Sequence, residues 1–149
     1  MKAGSAFEPR RRARRRALQA LYQWQITGQD PAEILSQFRT AQDMSGVDEP
    51  HFERLVRGVT SRQQELDTAL GPFLDRPIAQ VDLMERVVLR IGAFELRHCP
   101  EQPRRVILNE CVDLAHRFGA EQGHGFVNAV LDAAAPSLRP QQSPGTDRP

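Results

Sequence analysis

The stretch Asp82-Leu83-Met84-Glu85-Arg86-Val87-Val88-Leu89-Arg90-Ile91-Gly92-Ala93-Phe94-Glu95-Leu96 sets apolar side chains around most of a helical circumference. A helix without a wide polar face is a central one, covered by several neighbours. Asp82, followed three residues later by Glu85, forms the capping-box pattern that marks its start. Gly92 in its middle costs about 1 kcal/mol relative to alanine, so it marks a close crossing with another helix.

On both sides the chain breaks into further capped helices. The first is expected from near Pro9 to Gly28, because proline suits a first turn and glycine an end. Asp30-Pro31 opens a short helix carrying Ile34, Leu35 and Phe38. Asp48 caps the next, whose apolar set Phe52, Leu55, Val56, Val59, Leu66 and Leu70 reads as one helix stopped by Gly71-Pro72. Pro77-Ile78-Ala79-Gln80 reads as a short helical turn. Pro103 to Phe118 presents Ile107, Cys111, Leu114 and Phe118 before Gly119. The last helix runs from near Gly123 to Ala135. No strand pattern stands out, so the fold class is all-α, with short capped helices rather than heptads.

The chain has 149 residues, 40% of them hydrophobic and 26% charged, enough for one domain with its own core. No run approaches the roughly 20 apolar residues of a membrane span. Two cysteines, Cys99 and Cys111, exclude a disulfide-rich scaffold and read as structural thiols. With no apolar signal segment after the arginines, the expected compartment is the cytoplasm. His51, His98, His116 and His124 form no close i, i+3 or i, i+4 pair, so no metal is expected. Gly119, Gly123 and Gly125 lack the lysine and hydroxyl of a phosphate loop, and no nucleophile elbow is present, so no cofactor and no catalytic residue is proposed.

The charge is divided unevenly. The formal total is +1, yet residues 1–16 hold seven basic side chains against Glu8, a local charge of +6. The other 133 residues hold 13 arginines and 18 acids, which is −5. On a helix Arg12, Arg16, Gln19 and Gln23 form one stripe, with Arg11, Arg15 and Tyr22 on the adjacent one. Like charges at (i, i+4) repel, so the segment is expected to fray until a polyanion orders it. Guanidinium forks pair with phosphate and stack on bases, and Tyr22 with Gln19 adds a ring and an amide, a combination suited to single-stranded nucleic acid. A solvated basic tail, a targeting segment, a helical DNA-binding regulator and a protein-interaction module that dimerises over its basic face remain alternatives. Near the other end, Phe126 reads as core or as a surface stacking residue, and Asn128 as a helix-junction hydrogen bonder.

Arg10-Arg11-Arg12-Ala13-Arg14 through Gln19-Ala20-Leu21-Tyr22-Gln23-Trp24 resembles the opening of the NusB family of transcription antitermination factors. So do Glu85-Arg86-Val87-Val88-Leu89-Arg90-Ile91 with Glu95-Leu96, Asn109-Glu110 with Leu114-Ala115, and Phe118-Gly119-Ala120-Glu121 with Phe126-Val127-Asn128 and Val130-Leu131-Asp132. The blocks run in order from residue 10 to about 139. The resemblance implies two small helical bundles set against each other. By composition the residues from Pro136 onward, with Pro136, Pro140, Pro144, Gly145 and Pro149, read as a disordered tail. Together with the extent of the resemblance this divides the chain into a flexible start at 1–9, a helical RNA-binding domain at 10–139 and a disordered proline-rich tail at 140–149.

It also implies a bacterial protein that pairs with the ribosomal protein NusE and binds boxA, a single-stranded element of nascent ribosomal RNA, so that the elongating polymerase reads through terminators. By motif position Arg10, Arg11, Arg12, Arg14, Arg15, Arg16, Gln19, Tyr22 and Phe126 would contact RNA. Asp82, Glu85 and Arg86 would face the protein partner. Arg15 and Arg16 extend the basic run past the family's usual length, which implies added nonspecific RNA affinity. Gln122 stands where an acid is often found.

Overall fold

The computed structural model describes residues 3–140, with side chains from Phe7 onward. Among these residues there are seven α-helices and no strand: α1 (Ala3–Thr27), α2 (Pro31–Ala41), α3 (Glu49–Ser61), α4 (Gln63–Leu70), α5 (Leu83–His98), α6 (Arg104–Phe118) and α7 (Gly123–Leu138). Two single 3-10 turns, Gly71–Phe73 and Ile78–Gln80, fill the connector before α5. The chain divides into two compact units, Met1–Ser61 and Arg62–Pro149.

In the first unit α1 lies against α2 and α3. Ala13, Ala17, Leu18, Ala20 and Leu21 are buried, with Ile34, Leu35 and Phe38 from α2 and Phe52, Leu55, Val56 and Val59 from α3. The Phe38 and Phe52 rings meet at 5.8 Å. Gly28 ends α1 in the left-handed region at φ 69°, its N–H on the Trp24 carbonyl. Asp30 caps α2 by accepting from Ala32 N at 2.8 Å, with Pro31 in the first turn.

Three boundaries differ from the sequence expectation. α1 does not begin at Pro9 but runs through it from Ala3. Contacts that straddle the proline favour the upstream turn: Arg11 sits 5.7 Å over the Phe7 ring, and Arg12 pairs with Glu8 at 3.4 Å. The helix expected over the Phe52–Leu70 pattern is two, broken at Arg62, whose φ −119°, ψ 19° is not helical. The Thr60 and Ser61 hydroxyls bond back to the Val56 and Gly58 carbonyls, the kind of local competition that weakens a helix there. Finally, α7 continues past Ala135 through Pro136 to Leu138. Of the tail expected at 140–149, residues 141–149 lie outside the described residues.

In the second unit α5 is the hub, with α4, α6 and α7 against it. Every residue from Val87 to Leu96 is buried. A Cβ on Gly92 would stand 2.7 Å from Leu131 Cδ1 and 3.1 Å from Cys111 Sγ, so α6 and α7 both approach at this glycine, the close crossing its position announced. Arg90 grips Asp67 with two bonds, at 2.8 and 2.9 Å, tying α5 to α4.

Candidate nucleic-acid interface

On α1, residues 13, 14, 17, 18, 20 and 21 are buried, while 11, 12, 15, 16, 19, 22 and 23 keep at least part of their surface in solvent. The second set is one continuous polar stripe, since positions three and four apart are neighbours on a helix. It carries Arg11, Arg12, Arg15, Arg16, Gln19 and Tyr22 as the sequence expectation placed them. Arg14 is a correction. It is 1% exposed and shares its stripe with Leu18 and Leu21, so its position makes it a core arginine rather than a ligand contact. Its i+4 and i+7 neighbours carried that signal in the sequence.

The structure also departs from the expected fraying: α1 is helical through the whole arginine segment. The repulsion is met inside the chain. Arg10 Nε pairs with Asp48 Oδ2 at 3.3 Å and Arg12 with Glu8. Arg16 donates to the Asp43 carbonyl from Nε at 3.1 Å and Nη2 at 2.8 Å, and from Nη1 to Gln19 Oε1 at 2.8 Å. The (i, i+4) pairs Arg10/Arg14 and Arg12/Arg16 therefore each have at least one member held by an oxygen of the same chain.

The row keeps donors toward solvent. Gln19 spends its oxygen on Arg16, which leaves its amide N–H groups for another acceptor. Arg15 is half-buried: its Nε is covered and makes no hydrogen bond, while part of its side chain stays in solvent. Tyr22 is 37% exposed, and Ile26, one turn on, is 62% exposed, so a ring and an aliphatic side chain extend the stripe.

The second unit holds the other expected residues. Phe126 is neither core nor bare: it is half-buried, with the Arg76 guanidinium 4.7 Å from its ring centroid. Arg76 is itself held by Asp75 through bonds of 2.8 and 3.2 Å. At the start of α5, Asp82 is exposed and caps the helix, accepting from Glu85 N at 3.3 Å. Arg86 folds back on the Ala79 and Val81 carbonyls at 3.0 and 2.8 Å, securing the 3-10 turn.

Glu85 departs from the expectation of a partner-facing acid. It is 5% exposed and turned inward, its Oε2 accepting from Ala120 N at 3.1 Å. Gly119 and Gly123 let the α6–α7 loop close over it. A Cβ at Gly123 would collide with the Glu85 carboxylate, and one at Gly119 would lie 3.4 Å from Oε2. Of the three glycines flagged in the sequence, Gly119 and Gly123 thus approach the protein's own carboxylate, while Gly125 faces open space. Burial, then the Asp82 charge, pushes the Glu85 carboxyl above its ordinary pKa, against the Ala120 N–H. A raised pKa in the folded state favours the folded protein at low pH and loses that contribution as pH rises through the folded value. Glu85→Gln, which keeps an oxygen for Ala120, is therefore expected to melt at or above the parent temperature at pH 7. The gap should close as pH falls and Glu85 takes up its proton. Glu85→Ala orphans Ala120 N and should cost about 1–3 kcal/mol in a urea titration.

The profile of the NusB family matches residues 11–136. The chain belongs to the NusB family. A transcription antitermination protein NusB of Nitrosococcus oceani is 56% identical over 130 residues, 87% of each chain. Its counterpart in Xanthomonas campestris pv. campestris is 50% identical over 134 residues, 90% of this chain and 84% of that one. Among solved structures, T. maritima NusB superposes with a TM-score of 0.77 at 25% identity, covering 93% of this chain and 96% of that one. A crystal structure of antitermination factors NusB and NusE with double-stranded RNA matches at TM-score 0.77 and 23% identity, covering 91% and 99%, and bears on the fold alone.

Two features of this NusB-family chain were not anticipated from sequence. His116 and His124 meet edge to face across the α6–α7 loop, ring centroids 4.7 Å apart and Nδ1 atoms 3.5 Å apart. Their spacing of eight hides the pair from a helix-period search, and no group of three metal-ligating side chains forms among the described residues. Gln122 adopts φ 74°, the left-handed region that glycine, asparagine and aspartate enter most readily.

Proposed function

We propose that this chain is a non-enzymatic transcription antitermination factor of the cytoplasm. With NusE it binds boxA-type single-stranded RNA of nascent ribosomal transcripts and supports read-through by RNA polymerase. The observation that carries the reading is the α1 stripe, where Arg11, Arg12, Arg15 and Arg16 run into the open amide of Gln19 and the exposed ring of Tyr22. Guanidinium groups on a fixed helix capture phosphates, and the ring at the end of the row offers an unpaired base a stacking face. NusB bearing the same family name in other organisms supports the antitermination role.

The test is competition binding of the purified chain, alone and with NusE, against boxA-like, scrambled and duplex oligonucleotides. Single-stranded boxA-like RNA should win, and NusE should raise its affinity. About five neutralised phosphates give a log–log salt slope near −3.5 for a single strand. A slope near zero overturns the reading, and preference for duplex DNA replaces it with a DNA-binding regulator.

A further inference from the structure

Three arginines of α1, two of them in the row and Arg10 beside it, already hold an oxygen-rich ligand, and it belongs to the same chain. The turn between α2 and α3 lies along the row. Arg16 closes on the Asp43 carbonyl with two prongs, at 3.1 and 2.8 Å, as a guanidinium closes on a phosphate. Arg12 Nη1 reaches the Ser45 carbonyl at 3.5 Å, and Arg10 Nε the Asp48 carboxylate at 3.3 Å. Asp48 N donates to the Pro9 carbonyl at 3.0 Å, fastening the turn's far end to α1. At the apex Gly46 sits at φ 70°, so near Arg12 that a Cβ there would strike Nη1. The Asp43 carboxyl titrates below the ordinary range, chiefly through hydrogen bonds from Ser45, with Arg16 and Arg12 adding their charges.

Two carbonyls and a carboxylate spaced along three guanidinium groups imitate a short run of phosphates. The imitation is loosely held. Gln42, Asp43, Ser45 and Gly46 are exposed, and none of residues 42–48 is buried. Segments with few buried contacts open first. We propose that the turn 43–48 is an intramolecular competitor, occupying Arg10, Arg12 and Arg16 until a polyanion with consecutive phosphates displaces it. A lone anion replaces one contact and forfeits the rest; a strand replaces all three together. The turn thereby selects for chain-like anions over single ones. This inference rests on the RNA reading of the same row.

Asp48→Asn isolates the effect. Asparagine caps α3 as well as aspartate, keeping an oxygen for His51 N, but carries no charge for Arg10. Gly46→Ala pushes a methyl onto Arg12 and asks for a φ that alanine disfavours. Glu33→Gln makes the same charge change as Asp48→Asn at an exposed site on α2. Affinity for a single-stranded RNA dodecamer at fixed salt should tighten about 2- to 5-fold in Asp48→Asn and in Gly46→Ala, the scale of a half-exposed ion pair. Glu33→Gln should stay near the parent.

Hydrogen exchange supplies the second readout. The Asp48 amide of the unmodified protein should lose protection on addition of RNA or of inorganic polyphosphate. Unchanged or weaker binding by both variants, or added protection at Asp48, overturns the proposal and makes the turn a support for the arginines. If single-stranded RNA fails to bind while polyphosphate still releases the Asp48 amide, the competitor stands and the RNA reading falls.

Discussion

Arg139→Ala is expected to lower the protein's stability by about 3–5 kcal/mol, the combined cost of taking a charge-assisted donor from buried carbonyls and of emptying the space of a buried side chain. Arg139 follows α7 and is 5% exposed. Its guanidinium donates to the carbonyls of Leu96 at 2.8 Å, Gln102 at 2.7 Å, Glu95 at 3.1 Å and Cys99 at 3.0 Å. These oxygens belong to the end of α5 and the loop after it, where a helix has no internal donors left and its dipole is negative. Glu95 O also accepts from Cys99 N, and Cys99 O from Gln102 N, so alanine at 139 does not strip all four. Arg139→Met keeps most of the stem's packing and separates lost bonds from lost volume. Arg139→Lys offers three donors from one point where a planar fork spans four acceptors, so it should fall between parent and methionine. Urea midpoints for the three variants check the order. A midpoint unmoved by the alanine change would mean the carbonyls find water at no cost.

That arginine also marks the limit of what the sequence discloses. The central helix is legible because its evidence is local: an apolar circumference, a cap at Asp82 and a glycine in the middle. The caps at Asp30 and Asp48 and the stop at Gly28 follow from short-range chemistry and stand where expected. Arg139 lies among Pro136 and Pro140, where local composition reads as a tail. Its partners are some 37 to 44 residues earlier, and no periodicity links them. Glu85 illustrates the same gap. Its place after Asp82 announces a capping box, yet its carboxylate leaves the cap and reaches Ala120, 35 residues on. In the interface the polar stripe was readable from spacing, and so was the core position of Arg14, which motif resemblance overrode. The fraying expected of the arginine segment counted charges within one helix and omitted Asp43, Ser45 and Asp48, which only the fold brings against it.

Replacing Arg11, Arg12, Arg15 and Arg16 together by alanine is expected to weaken RNA binding by at least about 100-fold and to flatten the log–log salt slope by about 2 to 3. The slope follows from roughly 0.7 released counterions per neutralised phosphate on a single strand. The affinity follows from four charge-assisted contacts, each worth about 1.5 kcal/mol or more, less what the free row gains from losing its repulsion. Far-UV circular dichroism should barely change, since alanine is the strongest helix former and none of the four lies on the buried stripe. Arg14→Ala is the opposite case: one of the largest fully buried side chains is removed and leaves a cavity, so stability should fall while the salt slope of the remaining folded protein stays near the parent's. The two variants divide the arginine segment by direction rather than by sequence. If the quadruple variant lost its helix along with its RNA, the row would be structural. If it kept both, the strand would be held elsewhere, and Tyr22 and Phe126 would be the next residues to change.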